Sequence, residues 1–121
     1  MKRVKHRRPI SRVELILQSC PAENGAAALA MVLSYYRKPA VMRELMQRPI
    51  ASAADLVAAA QSKGLYALGY QLSFDPLCQA PMPLIAHWRF RSFVVVTGVR
   101  GGRVYVNSPE EGCLILSRRE F

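Results

Sequence analysis

The sequence predicts an α+β domain in which helices come first and an antiparallel sheet follows. Three observations carry this. Leu29, Val32, Leu33 and Tyr36 recur at i, i+3, i+4 and i+7, the spacing of a helix face. Beyond Gly64 the pattern changes to short β-rich runs, "PLIAHW", "FVVVTGV", "RVYVN" and "CLILS". The "RGGR" at 100–103 is a two-glycine hairpin turn joining two of those runs. Helices followed by hairpin-linked strands exclude a doubly wound parallel sheet.

Taken in chain order, "VELILQ" is a short strand or an extended lead-in. The first helix begins near Asn24, a good N-cap residue with Glu23 at the positive helix end, and stops at Arg37, Lys38 and Pro39. A shorter helix covers Val41 to Gln47. A third opens at "SAAD", where Ser52 and Asp55 stand at near capping-box spacing, and closes at Gly64. "LYALGYQL" alternates and reads as a strand. "FVVV" is a buried central strand with no function of its own.

A chain of 121 residues makes one domain, and 51% hydrophobic residues are enough for a core. The expected division is a basic arm, residues 1–13, and a single domain, residues 14–121. No apolar run is long enough to cross a bilayer, and the basic start lacks the apolar stretch of a secretory signal. The chain therefore reads as soluble and not itself exported. Cys20, Cys78 and Cys113 are odd in number and widely spaced, which fits neither a disulfide framework nor a CxxC metal site. They read as reduced thiols in a cytosolic compartment, and no cofactor or metal is expected. The net charge is +9, and six of the 17 Lys and Arg lie in residues 1–12. Such an arm is a solvated tail or a contact for an anionic bilayer, an acidic peptide or nucleic acid. Nucleic acid ranks last, because the other basic residues do not interleave with aromatics and no binding module appears.

The stretch "QSCPAENGAAALAMVLSYY", Gln18 to Tyr36, carries the functional question. A thiol at a helix start is activated by the helix's partial positive charge, and a histidine from another element completes the activation. A glutamine just upstream donates to the developing oxyanion. An Asp or Asn orients the histidine.

With "GAAALAMVLSYY", "SFVVVTGV" and "VYVNSPEEG" in this order, the chain resembles the papain-like peptidase domains of bacterial ABC transporters that export bacteriocins and other peptides. Those domains cut a leader peptide after a double glycine. The resemblance runs from about Leu15 to Phe121. The family pattern is Gln, five residues, Cys-Gly, then an alanine-rich "LAMVLxYYG" helix, later "HFVVV" and a turn with "DP". It implies a papain-like cysteine peptidase fold, a cytoplasmic position at the inner face of the membrane, and a peptide held extended between the helical and sheet halves.

The departures fall on the chemistry. Gln18 matches the oxyanion glutamine. Asn24 stands at the nucleophile position, Ser92 at the histidine position and Ser108 at the aspartate position. An amide is no nucleophile at neutral pH, and a serine cannot take up a proton as imidazole does. One inactivating change would explain one substitution, not three. The resemblance then implies a naturally degenerate, catalytically inactive member that docks a leader or cargo peptide without cutting it. Gln18, Asn24, Ser92 and Trp88 are the expected peptide-binding residues. The membrane and nucleotide-binding domains of the transporter are the implied partners. Leaders of this family are commonly acidic, which suits the positive charge.

Two other readings stay open. Cys20 could be the nucleophile of an active peptidase, although Pro21 keeps it off the helix and Gln18 lies too close. Alternatively, the domain is structural or regulatory, with an empty groove. A catalytic Cys20 is set against a plain semi-buried thiol. His87 precedes the family histidine position by five residues, and odd spacing within one strand would put it on the opposite face unless a turn at "WRFR" resets this. His6 lies in the arm. Cys78 and Cys113 read as apolar filling, and Trp88 and Phe90 either line a peptide groove or cap the core.

Overall fold

The structure, a computed structural model, describes residues 4–6, 12–71, 73–88 and 92–121. Helices α1 (Asn24–Tyr35), α2 (Met42–Leu45), α3 (Ala53–Ser62) and α4 (Phe74–Cys78) precede strands β2 (Leu84–Trp88), β3 (Ser92–Arg100), β4 (Arg103–Ser108) and β5 (Gly112–Ser117). Strand β1 (Val4–His6) comes from the segment read as a basic arm and pairs with β5. The remaining arm residues, 1–3 and 7–11, lie outside the described residues. All pairings are antiparallel, in the order β1-β5-β4-β3-β2. This is the expected α+β arrangement.

Helix α1 is more deeply set than a single apolar stripe implies. Gly25 through Leu33 are all buried. The alanines at 26, 27, 28 and 30 let neighbours close on every side. Phe93 and Val95 of β3 pack with it on one flank, and Leu45 of α2 with Leu56 and Ala60 of α3 complete the same cluster. Tyr35 and Tyr36, at the helix end, are exposed.

Helices α1 and α3 end on the same hydrogen-bond pattern with different residues. At α3, Gly64 (φ 87°) donates to the Gln61 carbonyl and Leu65 to the Ala60 carbonyl. At α1, Arg37 (φ 59°) donates to the Ser34 carbonyl and Lys38 to the Leu33 carbonyl. Both are Schellman closures, and Arg37 occupies the left-handed position that glycine usually fills. The start of α3 is the expected capping box. Ser52 Oγ accepts from the Asp55 N–H, and Asp55 Oδ2 accepts from the Ala51 and Ser52 N–H groups. These bonds, that from Ala51 foremost, hold the Asp55 carboxyl below its ordinary pKa.

The sheet has two apolar faces. Phe93 and Val95 meet α1, whereas Val94 and Val96 join Trp88, Val104, Val106, Leu114 and Leu116 on the far face. Phe74 of α4 and Phe121 pack against that far face. "LYALGYQL" is the main departure. Residues 65–71 form no strand, and Leu72 lies outside the described residues. Leu65 and Ala67 pack inward while Tyr66, Leu68 and Tyr70 are exposed. The alternation is real, but it records one-sided burial of an extended segment rather than pairing with a neighbour.

Candidate functional site

The site lies where α1 begins and β3 begins. The extended lead-in, residues 13–18, is pinned to β4 and the turn after it. Asn107 Nδ2 donates to the Val13 carbonyl at 3.2 Å, and the Gln18 N–H donates to the Pro109 carbonyl at 2.8 Å. The chain then turns at Ser19 and Cys20, and Pro21–Glu23 form one 3-10 turn that runs into α1. Proline suits this first position because its missing N–H would be unsatisfied there anyway. The Ser19 N–H donates to Glu23 Oε1 at 2.6 Å, closing the turn.

Asn24 is therefore already helical, with φ −54° and ψ −56°, and its side chain does not cap α1. That corrects the expectation of an asparagine N-cap. Because the chain enters α1 from a 3-10 turn, the Asn24 carboxamide is aimed at β3 instead. Its Oδ1 accepts from the Phe93 N–H at 2.6 Å. Its Nδ2 donates to the Phe93 carbonyl at 3.2 Å and to Gln18 Oε1 at 3.0 Å. The side-chain amide thus meets both the N–H and the C=O of one strand residue, as a neighbouring strand would. The β3–β4 register ends at Val95–Asn107, so Phe93, two residues nearer the start of β3, has no partner in β4. Beyond that rung β4 turns away at Pro109, and Asn24 takes up the two backbone groups that β4 no longer meets.

Gly25 is fitted just as tightly. A Cβ there would sit 2.7 Å from Ile50 Cγ2 and 2.9 Å from the Ile50 carbonyl oxygen. Between Ile50, with its neighbours Met46, Pro49 and Ala51, and the start of α1 lies a cleft of about 410 Å³. Asn24, His87 and Phe93 line its inner wall. His87 pairs with Phe93 across β2 and β3, and the two rings stack with centroids 4.5 Å apart. His87 and residue 92 are thus on adjacent strands and take opposite faces, as the spacing suggested, but it is His87 that reaches the cleft. The intervening residues 89–91, including Phe90, lie outside the described residues.

The other expected site residues fall elsewhere. The register sets Ser92 opposite Trp88. Trp88, 9% exposed, packs in the far-face cluster with Val94 and Val96. Residues alternate in direction along a strand, so Ser92 shares parity with Trp88 and not with Phe93. The structure thus corrects the assignment of Trp88 to the peptide groove, and the cleft's aromatic wall is Phe93 with His87. Ser108 is 3% exposed, and its Oγ accepts from the Glu111 N–H at 3.1 Å, holding the β4–β5 turn. Beside it Asn107, 1% exposed, also accepts from Cys113 Sγ at 3.3 Å. Cys113 is buried as expected, but Cys78 is exposed at the end of α4. Cys20 is exposed and extended, not semi-buried, and does not line the cleft. The side chain of His6 lies outside the described residues.

Among the described residues that line the cleft, none is a lysine or an arginine. Among the described residues no group of His, Cys, Asp and Glu could hold a metal ion, and no helix is long and apolar enough to cross a membrane.

Comparison with known proteins agrees with this fold. The profile of the peptidase C39 family matches residues 12–121. A probable microcin-H47 secretion/processing ATP-binding protein of Escherichia coli is 32% identical over 115 residues, which is 91% of this chain and 16% of that protein. The colicin V secretion/processing ATP-binding protein of Escherichia coli matches at the same identity and coverage. The chain thus spans about one sixth of the length of these relatives. Among solved structures, a double glycine motif protease from an AMS/PCAT transporter, in complex with its leader peptide, superposes with a TM-score of 0.83. That match is 32% identical and covers 100% of this chain and 90% of the other.

Proposed function

The chain belongs to the peptidase C39 family, and from that premise we propose that it binds a leader or cargo peptide without cutting it, as the cytoplasmic peptidase-like domain of a peptide-exporting ABC transporter. One observation carries this reading: the Asn24 carboxamide at the helix start is bonded on both its atoms to the Phe93 peptide group and to Gln18. A nucleophile needs a free electron pair aimed at the substrate carbonyl. The amide nitrogen's pair is delocalised, and Oδ1 is taken by the Phe93 N–H. Gln18 turns its acceptor toward Asn24. The two remaining positions, Ser92 and Ser108, carry no imidazole and no carboxylate.

The cleft beside this blocked position is still open. Its apolar wall and the adjacent sheet suit an extended peptide, for which backbone bonds supply affinity and pockets supply register. The superposable protease was solved with a leader peptide, which supports the same use here. The test is to incubate the domain with double-glycine leader peptides under reducing conditions. Mass spectrometry is expected to find no product, and calorimetry a dissociation constant on the order of micromolar. Cleavage abolished by Cys20→Ala would establish the active-peptidase reading instead. Absence of both cleavage and binding would leave a structural or regulatory domain.

A further inference from the structure

The end of the sheet opposite the cleft gathers arginines. Arg100 and Arg103 face each other directly across the Gly101–Gly102 turn, and Arg103 pairs on its other side with Ser117. Arg118 and Arg119 follow immediately, and all four arginines are exposed. Arg118 lies over the Phe74 ring at 4.7 Å and reaches Asp75 at 3.7 Å. Among the described residues the side chains of Arg100, Arg103 and Arg119 have no ion pair, hydrogen bond or ring contact. The nearby carboxylates are Asp75, itself exposed, and Glu120, whose Oε1 accepts from the Ser117 N–H.

We infer that this arginine end of the sheet rests on the anionic phospholipid headgroup layer of a bilayer. Like charges set directly opposite each other in a hairpin destabilise it, so the Arg100–Arg103 pair does nothing for the fold. Arginine's planar fork binds phosphate oxygens bidentately. Among the described residues the exposed large apolar side chains all lie between residues 17 and 70 in the sequence, none of them on this hairpin. A protein partner is held mainly by aromatic and apolar anchors, and the aromatics at this end, Phe74 and Phe121, are half-buried against the sheet instead. A diffuse sheet of phosphates needs only charge.

Among the described residues, carboxylates mark the opposite end of the sheet. Glu110 and Glu111 sit in the turn after β4, and Glu23 lies in the turn before α1. Strand β3 runs from one end to the other, roughly 26 Å at the usual rise per residue. That exceeds the screening length of about 8 Å at physiological salt, so the two ends act separately.

The test is co-sedimentation of the full chain with phosphatidylcholine vesicles, with and without phosphatidylglycerol. The wild type is expected to pellet only with the anionic vesicles and to be released by high salt. Replacing Arg100 and Arg103 together by Gln should weaken partitioning roughly 25-fold, at about fivefold per arginine near the surface. The Arg100→Lys, Arg103→Lys pair should retain binding, and thermal melts should show each variant folded. Arg43→Gln with Arg48→Gln, exposed arginines around α2, should change little. Undiminished binding of the Gln pair would overturn the proposal, as would loss confined to a variant of Lys2, Arg3, Arg7 and Arg8. If anionic vesicles bring down none of the wild type at low salt, the lipid is not the partner, and an acidic protein surface becomes the reading to pursue.

Discussion

The two ends of strand β3 use polar residues in opposite ways. At the Phe93 end, Gln18, Asn24, Asn107 and Ser108 each make hydrogen bonds that fasten one chain segment to another. At the Arg100 end, guanidinium groups stand opposed across a turn and bond to nothing described. A bonded, partly buried polar group contributes to stability and is costly to remove, whereas an exposed, unpartnered charge contributes almost nothing. Asn24 and Ser108 thus serve the frame of the molecule at this end of the strand.

The comparison breaks most readily at Asn24. Asn24→Ala removes three hydrogen bonds and leaves the Phe93 peptide group without its partner, so it should cost about 2–4 kcal/mol in urea unfolding. Asn24→Asp is the sharper version. Its carboxylate still accepts from the Phe93 N–H, but its second oxygen then faces the Phe93 carbonyl and Gln18 Oε1, both acceptors. Protonation restores a donor, so the folded-state pKa of Asp at 24 should be raised above the unfolded value. The native state then binds more protons than the unfolded chain. The deficit relative to wild type should shrink as pH falls through that raised pKa and be largest at neutral pH. A deficit that does not change with pH would mean that the amide nitrogen's two bonds carry little.

Gly25 probes the same end by packing alone. Gly25→Ala pushes a methyl group into Ile50, where both a side-chain carbon and a backbone oxygen lie under 3 Å. The helix gains propensity from alanine, but overpacking against backbone costs more, and the net loss should be about 1–3 kcal/mol. Any leader binding in the cleft should weaken as well, since Gly25 and Ile50 both line it. Calorimetry and urea unfolding on the one variant test both statements.

Much of this was legible in the sequence, and the misses share a cause. The four strands of the second half, the RGGR hairpin, the capping box at Ser52 and both helix stops follow from local pattern, because each depends on residues close in sequence. Helix α4 and strand β1 were not visible. The first is a short turn of helix in "FDPLC", and the second is a three-residue strand that exists only because β5 offers it an edge. Alternation in residues 65–71 gave the correct inward residues but the wrong element. At the site, Gln18 and Asn24 were identified, but the hydrogen bonding of Asn24 was not, since Phe93 lies 69 residues away. The assignment of Trp88 failed on a single register step: His87 and Phe93 take the cleft side, and Trp88 and Ser92 take the parity of the far face. Only the pairing of β2 with β3 sets that parity, and no spacing within one strand reveals it.

The smallest expected effect lies at the other end of the sheet. Arg103→Glu replaces a like-charged cross-strand pair with an opposite-charged one, still exposed and still next to the glycine turn. Stability should rise, by about 0.2–1 kcal/mol, and the gain should fade with added salt because both partners are solvated. The same variant should lose its hold on phosphatidylglycerol vesicles more completely than the single Arg103→Gln, since it reverses a charge rather than removing one. The two readouts then move in opposite directions, stability up and partitioning down. No fold-supporting role for Arg103 predicts that pair of results. If Arg103→Glu lowers stability, Arg103 has a structural partner, and the contrast between the two ends is weaker than the register suggests.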